Sequence, residues 1–270
     1  MFRHLLLIAS LIAPAQVLAA ESPLALREVY ARQVDRQLAV PTNEQKFYAK
    51  LLAEKLHQAG LQNVAPQYVV LVDRSPQVQA LLLYWVVDGT VFELIGASPV
   101  STGKPGKFDY FETPTGVFDH SIAHFDFRAE GTKNSFGIMG YGVKGMRVFD
   151  FGWVRARRTW IDGEGEMRLL IHATDPNRLE PRLGTLQSKG CIRIPASLNR
   201  LFDYYGILDA HYESETKNGT QLWVLRPDRK PTYWPGRYLV VVDSNRSQRP
   251  TWSPLPVKKP PSSANNQKLK

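Results

Sequence analysis

Cysteine is almost absent from this chain: Cys191 is the only one in 270 residues. A single thiol excludes an internal disulfide, and in an exported protein it leaves a group open to oxidation that needs a reason to be there. Long apolar runs are scarce too. Only the start of the chain carries one, from Leu5 to Ala13, and it is short of the ~20 residues that cross a bilayer. It follows the cationic Arg3 and His4 and precedes the small-residue exit Val17-Leu18-Ala19-Ala20, which predicts a cleaved signal peptide over residues 1–20 and export of the rest. No cysteine stands at that exit, so lipid attachment is not indicated. Histidines number six. His120 and His124 share a face only if their stretch is helical, and no Cys or acidic cluster joins them, so a zinc hydrolase is a poor reading and no metal is expected.

Acidic residues are missing after Asp243, and this locates the formal charge of +9. Setting aside Arg3 and the six cations beyond Asp243 leaves +2 on residues 21–245, too balanced a body to bind nucleic acid. Residues 246–270 carry those cations with five prolines and read as a disordered basic tail, either a solvated terminus or a weak tether to an anionic wall or membrane surface.

What is present is an ordinary globular composition, 43% hydrophobic and 11% aromatic, with no internal repeat. Ser22-Pro23 starts a helical pattern in which Leu26, Tyr30, Val34 and Leu38 recur before Pro41. Thr42 and Gln45 resemble a capping box ahead of Phe47, Leu51, Leu52, Leu56 and Ala59, with Gly60 as the stop. An N-terminal helical hairpin over 21–62 is predicted. From Gln67 the texture turns to strands: 67–73, then 79–87 and 90–97 joined at Asp88-Gly89. Further strands are predicted at 146–153, 167–172, 220–226 and 237–243, with one helix around 196–205.

Cys191 sits in Ser188-Lys189-Gly190-Cys191-Ile192-Arg193, where a flexible glycine, two cations and a hydroxyl make an odd core strand. Lys189 and Arg193 would favour the nucleophilic thiolate, and Gly190 permits close approach of a substrate to the backbone. A thiolate of this kind works with an imidazole, and His172 is the best candidate because it closes the apolar strand Met167-Arg168-Leu169-Leu170-Ile171. His57 lies on a helical pattern, His211 follows the one around 196–205, and neither receives a role.

These residues carry a resemblance. Ile171-His172-Ala173-Thr174 followed by Ser188-Lys189-Gly190-Cys191-Ile192-Arg193-Ile194 resembles the signature of L,D-transpeptidases of the YkuD type. Val100-Ser101-Thr102-Gly103-Lys104 and Thr113-Pro114-Thr115-Gly116-Val117-Phe118 resemble two upstream segments of that family. The likeness covers residues 67–210 and implies a mainly β, mixed α+β fold, a β-sandwich-like catalytic domain over 67–245. It implies Cys191 as nucleophile, His172 as base and Ser188, Gly190 and Arg193 lining the site. It also implies that the Ala173 carbonyl orients the imidazole, with Asp175 as a side-chain rival, and that the Gly190 and Cys191 N–H groups receive an oxyanion. Lys189 and Arg193 suit substrate carboxylates. The segment Gly131–Gly145, with five glycines and Tyr141, reads as a flap over the site or as an ordinary surface loop.

The implied activity is acyl transfer in the periplasm or cell wall: a thioester on Cys191 from a peptidoglycan tetrapeptide stem, passed to an amine without a cofactor and open to carbapenem inhibition. Water as acceptor would make the same site an L,D-carboxypeptidase or endopeptidase. A catalytically idle wall-binding module is the rival from another class. Ala173, Lys189 and Ile194-Pro195 depart from common family residues and leave the acceptor open.

Overall fold

Val69-Val70-Leu71-Val72, Leu81-Leu82-Leu83 and Leu239-Val240-Val241-Val242 have no polar alternation, the pattern of strands covered on both faces. In the computed structural model, which describes residues 22–255, they form the centre of a sheet. The elements in order are α1 (Leu26–Gln33), α2 (Thr42–Gln58), β1 (Gln67–Asp73), β2 (Ala80–Val86), β3 (Phe92–Pro99), β4 (Gly116–Asp119), β5 (Phe127–Arg128), β6 (Arg147–Arg157), β7 (Glu164–His172), β8 (Ile192–Arg193), α3 (Ala196–Tyr205), α4 (Ala210–Lys217) and β9 (Tyr238–Val242). One sheet runs β3-β2-β1-β9-β4 and the other β5-β6-β7-β8, giving the mainly β, mixed α+β architecture expected.

Alternate residues of the first sheet feed two cores. Tyr68, Val70, Val72, Leu81, Leu83, Leu239 and Val241 meet Phe149, Leu169, Ile171 and Ile192 of the second sheet, with Leu198, Leu201 and Phe202 of α3. Val69, Leu71, Leu82, Tyr84 and Val240 face the other way, onto Tyr48, Leu52 and Leu56 of α2. Polar groups inside are paired: the Tyr48 hydroxyl donates to Asp73 at 2.7 Å, and the fully buried Arg147 donates to Asp126 at 2.6 Å and to both Asp209 oxygens. Such a buried cation is tolerable only with its carboxylates in place.

Several sequence expectations are corrected. The two N-terminal helices form, but they do not make a hairpin: Leu26, Tyr30 and Val34 join the first core, while α2 lies in the second, on the opposite face of the sheet. The first helix stops at Gln33 because the following segment adds to the sheet edge, Leu38 N–H donating to Ala97 O at 2.9 Å. Thr42 does not cap α2; the Gln45 side chain donates to Val40 O instead. Residues 220–226 contain no strand, and α4 was not anticipated. The expected signal peptide lies outside the described residues.

The basic tail is also corrected for residues 246–255, which are docked. Arg246 pairs with Glu44, Arg249 donates to Pro76 O at 2.7 Å, and Ser253 donates to Gln77 and Val78 carbonyls. Trp252, 9% exposed, packs edge-on to Tyr48 at 5.8 Å. One tryptophan and a ladder of carbonyl acceptors outweigh the entropy of a polar, proline-rich segment. Trp252→Ala is expected to destabilise the protein by about 3 kcal/mol, read as a lower urea midpoint with the m-value unchanged. A midpoint equal to that of the parent would show that the docking contributes nothing.

Candidate active site

The site begins with a parallel strand pair. A parallel connection cannot be a tight turn and takes a crossover of a dozen or more residues. Here the chain leaves β7 at His172, loops through 173–191 and returns as β8, with Ile171 beside Ile192 and His172 beside Arg193. This brings Cys191 back against β7, its thiol 3.6 Å from the Arg168 carbonyl oxygen. Leu169 and Ile171 point into the first core, so Arg168 and His172 project from the opposite, outer face of the sheet.

The loop is clamped by the two upstream segments singled out in the sequence. Ser101 and Arg193 exchange backbone bonds at 2.9 and 3.0 Å, and Thr102 O accepts from Gln187 and Ser188 N–H. The Thr113 hydroxyl bridges the clamp, accepting from Gly103 N–H at 3.0 Å and donating to Gly190 O at 2.6 Å. Ser188 staples the turn itself: its hydroxyl donates to Cys191 O at 2.5 Å and accepts from Gly190 N–H at 3.0 Å. Gly190 has φ +133°, a conformation that favours glycine, and a Cβ there would fall 2.6 Å from Met167 Sδ and displace that side chain.

His172 is buried, and its Nδ1 lies 2.5 Å from Ala173 O, which fixes the tautomer with the proton on Nδ1 and leaves Nε2 as the basic nitrogen. Asp175, the alternative orienting group, is engaged elsewhere: it accepts from Met139, Asn177 and Arg178 N–H and so fastens the 131–145 segment to the loop after His172. Arg178 adds a bond to Phe136 O at 2.6 Å. Tyr141 from that segment packs its ring edge-on to His172 at 4.8 Å and to Phe127 at 5.5 Å. The segment therefore covers one side of the imidazole.

The surroundings favour the neutral form of both polar partners. Burial, with the nearby Arg193 charge, pushes the His172 imidazole down to about 3, and the apolar surround of the sulfur pushes the Cys191 thiol up to about 11. The side chain of Cys191 keeps a solvent-facing opening, so this surround is a low-dielectric wall and not full enclosure. The Arg193 charge and the Leu170 N–H favour the thiolate, while Asp150 opposes it.

Two expected roles change with the geometry. Lys189, expected to favour the thiolate, instead pairs with Asp109 at 2.7 Å and lies over the Tyr110 ring. Gly190 N–H is already spent on Ser188, so only the Cys191 N–H of the expected pair remains for an oxyanion. Arg193 stays at the site, donating to Gln187 O at 3.0 Å with its Nε–H unpartnered. His120 is buried between Asp126 and Leu208 O and serves the ion network around Arg147. Among the described residues, no three His, Cys, Asp or Glu side chains are grouped to hold a metal.

Residues 67–224 match the family of the L,D-transpeptidase catalytic domain (YkuD). The chain belongs to that family. No curated protein matches it. Among solved structures, the helical cell shape determining protein Pgp2 from Campylobacter jejuni is similar at 14% identity with a TM-score of 0.28, over 73% of this chain and 57% of that one. So low a score carries no argument, and the chain spans little more than half of that protein.

Within this L,D-transpeptidase domain, sequence reasoning passed over Arg168, Asp150 and Phe127. The spacing held a signal for the first: Arg168 and His172 share strand parity, so an arginine had to emerge on the face of the imidazole. Asp150 and Phe127 come from β6 and β5, and only the pairing of those strands brings them near. The neutral pair that these surroundings favour makes a prediction. Alkylation of Cys191 by iodoacetamide should accelerate roughly tenfold per pH unit from pH 7 to 9, following the thiolate fraction. A rate already level at pH 7, followed by stopped-assay mass spectrometry, would instead reveal a preformed thiolate–imidazolium pair.

Proposed function

We propose that this protein is a peptidoglycan L,D-transpeptidase with Cys191 as nucleophile and His172 as general base. The observation that supports the reading is a solvent-facing thiol on a clamped turn that leads into β8, the strand paired with the end of β7, where a histidine has its Nδ1 held by a backbone carbonyl. Because burial favours the neutral forms of thiol and imidazole, the proton leaves sulfur as the bond to carbon forms. Sγ adds to the carbonyl at the L-centre of diaminopimelate in a tetrapeptide stem, and the thiol proton passes to His172 Nε2. The Cys191 N–H stabilises the oxyanion. Collapse expels the terminal D-Ala amine, which takes the proton from His172, and leaves a thioester. An acceptor amine then attacks, giving its proton to His172; the new amide forms and the thiolate is reprotonated.

The 131–145 segment favours amine over water. Tyr141 lies against His172 and excludes solvent from one side of the imidazole, which a transferase requires and a hydrolase does not. Export to the periplasm or cell wall and a part in wall remodelling, with it cell shape, follow from the substrate. No helix among the described residues is long and apolar enough to cross a membrane.

Purified protein incubated with tetrapeptide stems and a D-amino acid should yield exchanged tetrapeptide as the main product by mass spectrometry. Cys191→Ala should abolish turnover with the fold retained, and His172→Ala should lower kcat by about 10²–10⁴-fold. A carbapenem should add to Cys191 in the parent and not in Cys191→Ala. Turnover surviving in Cys191→Ala would refute the assignment. Free tripeptide dominating at saturating amine would establish the L,D-carboxypeptidase reading, and an inert thiol with no turnover would leave a wall-binding module.

A further inference from the structure

The cation best placed to meet a substrate is one with no role so far. Arg168 precedes His172 by four residues on β7, so both side chains stand on the outer face of the sheet, and the Arg168 carbonyl lies 3.6 Å from the Cys191 sulfur. Its guanidinium forms a close ion pair with Asp150 Oδ2 and lies over the Phe127 ring at 5.6 Å. Phe127 meets Tyr141, and Tyr141 meets His172, so arginine, two aromatic rings and imidazole form one continuous wall.

The two halves of the ion pair differ in exposure. Asp150 has a wholly buried side chain, with Oδ1 accepting Gly152 N–H at 2.8 Å, while the Arg168 side chain is 42% exposed. Among the described residues no acceptor takes an Arg168 side-chain N–H in hydrogen-bond geometry, and Asp150 Oδ2 has no hydrogen-bond partner. The guanidinium is thus drawn inward by charge at one nitrogen while its hydrogen-bonding capacity stays unspent. An exposed arginine on a surface strand ordinarily samples many rotamers. Here a buried carboxylate and an aromatic face have removed that freedom in advance, which is the arrangement that binds a planar anion at least entropic cost. A buried Asp150 carboxylate is costly without a paired cation, and Arg168 is that cation. Of the other cations near the thiol, Lys189 is paired with Asp109, and Arg193 donates to Gln187 O from one nitrogen and keeps its Nε–H unpartnered.

We propose that Arg168, positioned by Asp150, binds a free carboxylate of the acyl donor. This rests on the transpeptidase reading above and names the feature by which the donor is recognised. In a tetrapeptide stem the carboxylate is either that of the departing D-Ala or that at the D-centre of diaminopimelate, and both would be held by a two-pronged, charge-assisted contact.

The test compares the parent, Arg168→Gln and Arg168→Lys on three stems: unmodified, amidated at the terminal D-Ala, and amidated at the D-centre. For the unmodified stem, Arg168→Gln should raise KM by about ten- to a hundredfold with kcat little changed, as loss of a charge-assisted bond does. Arg168→Lys should recover part of that loss, and it carries the test should the glutamine variant not fold. One amidated stem should give the parent the same high KM, with no further loss from Arg168→Gln, and that stem identifies the carboxylate. Iodoacetamide should modify Cys191 at the parental rate in both variants. An unchanged KM for Arg168→Gln, an equal loss on all three stems, or slowed alkylation would overturn the proposal, the last two by showing that Arg168 only supports the fold. A parent that turns over none of the stems would overturn the transpeptidase reading itself, and this inference with it.

Discussion

The parallel pairing of β7 with β8 is the constraint on which the site depends. Two parallel strands cannot be joined directly, so the sequence between His172 and Ile192 has to travel away from the sheet and back. The outward trip supplies Asp175 and Arg178, which hold the 131–145 segment, and the return supplies the turn that carries Cys191. The pairing is only two residues long, too little to hold a turn in one conformation by itself. Ser101, Thr102 and Thr113 supply the remaining bonds, which is why segments far upstream belong to the site though none of their side chains touches the sulfur in a described hydrogen bond.

The site faces outward from the second sheet, and its inner face is given over to the core. Leu169 and Ile171 bury themselves between the same positions that present Arg168 and His172. Strand alternation thus lets a rigid hydrophobic layer set the spacing of polar groups on its reverse side. The cost is that those groups sit on an apolar floor. Burial pushes the His172 imidazole down and the Cys191 thiol up, which favours the neutral form of each, and the proposed reaction moves its proton in concert with bond formation.

Much of this was legible in the chain. Cys191 and His172 stand in two short motifs close together in sequence, and β1, with its run of apolar β-branched residues, has the bounds its residues suggest. What escaped was decided between distant segments. The helices α1 and α2 were recognisable by their period, yet nothing local says that one packs on each face of the sheet. Leu38 continues a helical spacing, but its backbone finds a better partner in Ala97. The tail looked unstructured because Trp252 is isolated among polar residues and prolines; its pocket against Tyr48 is built by α2, some two hundred residues earlier. Lys189 was given to the thiol from adjacency alone, and adjacent residues of a turn point apart.

The acceptor that orients His172 is a main-chain oxygen, that of Ala173. Every amino acid carries such an oxygen, so no exchange at position 173 can delete it, in contrast to a carboxylate in the same role. The side chain there is limited by room alone, because the backbone at Gly142 passes close to the Ala173 methyl group. Genetic variation at this position would therefore be filtered by size, and the alignment of the imidazole would be inherited unchanged through substitutions that alter almost everything around it.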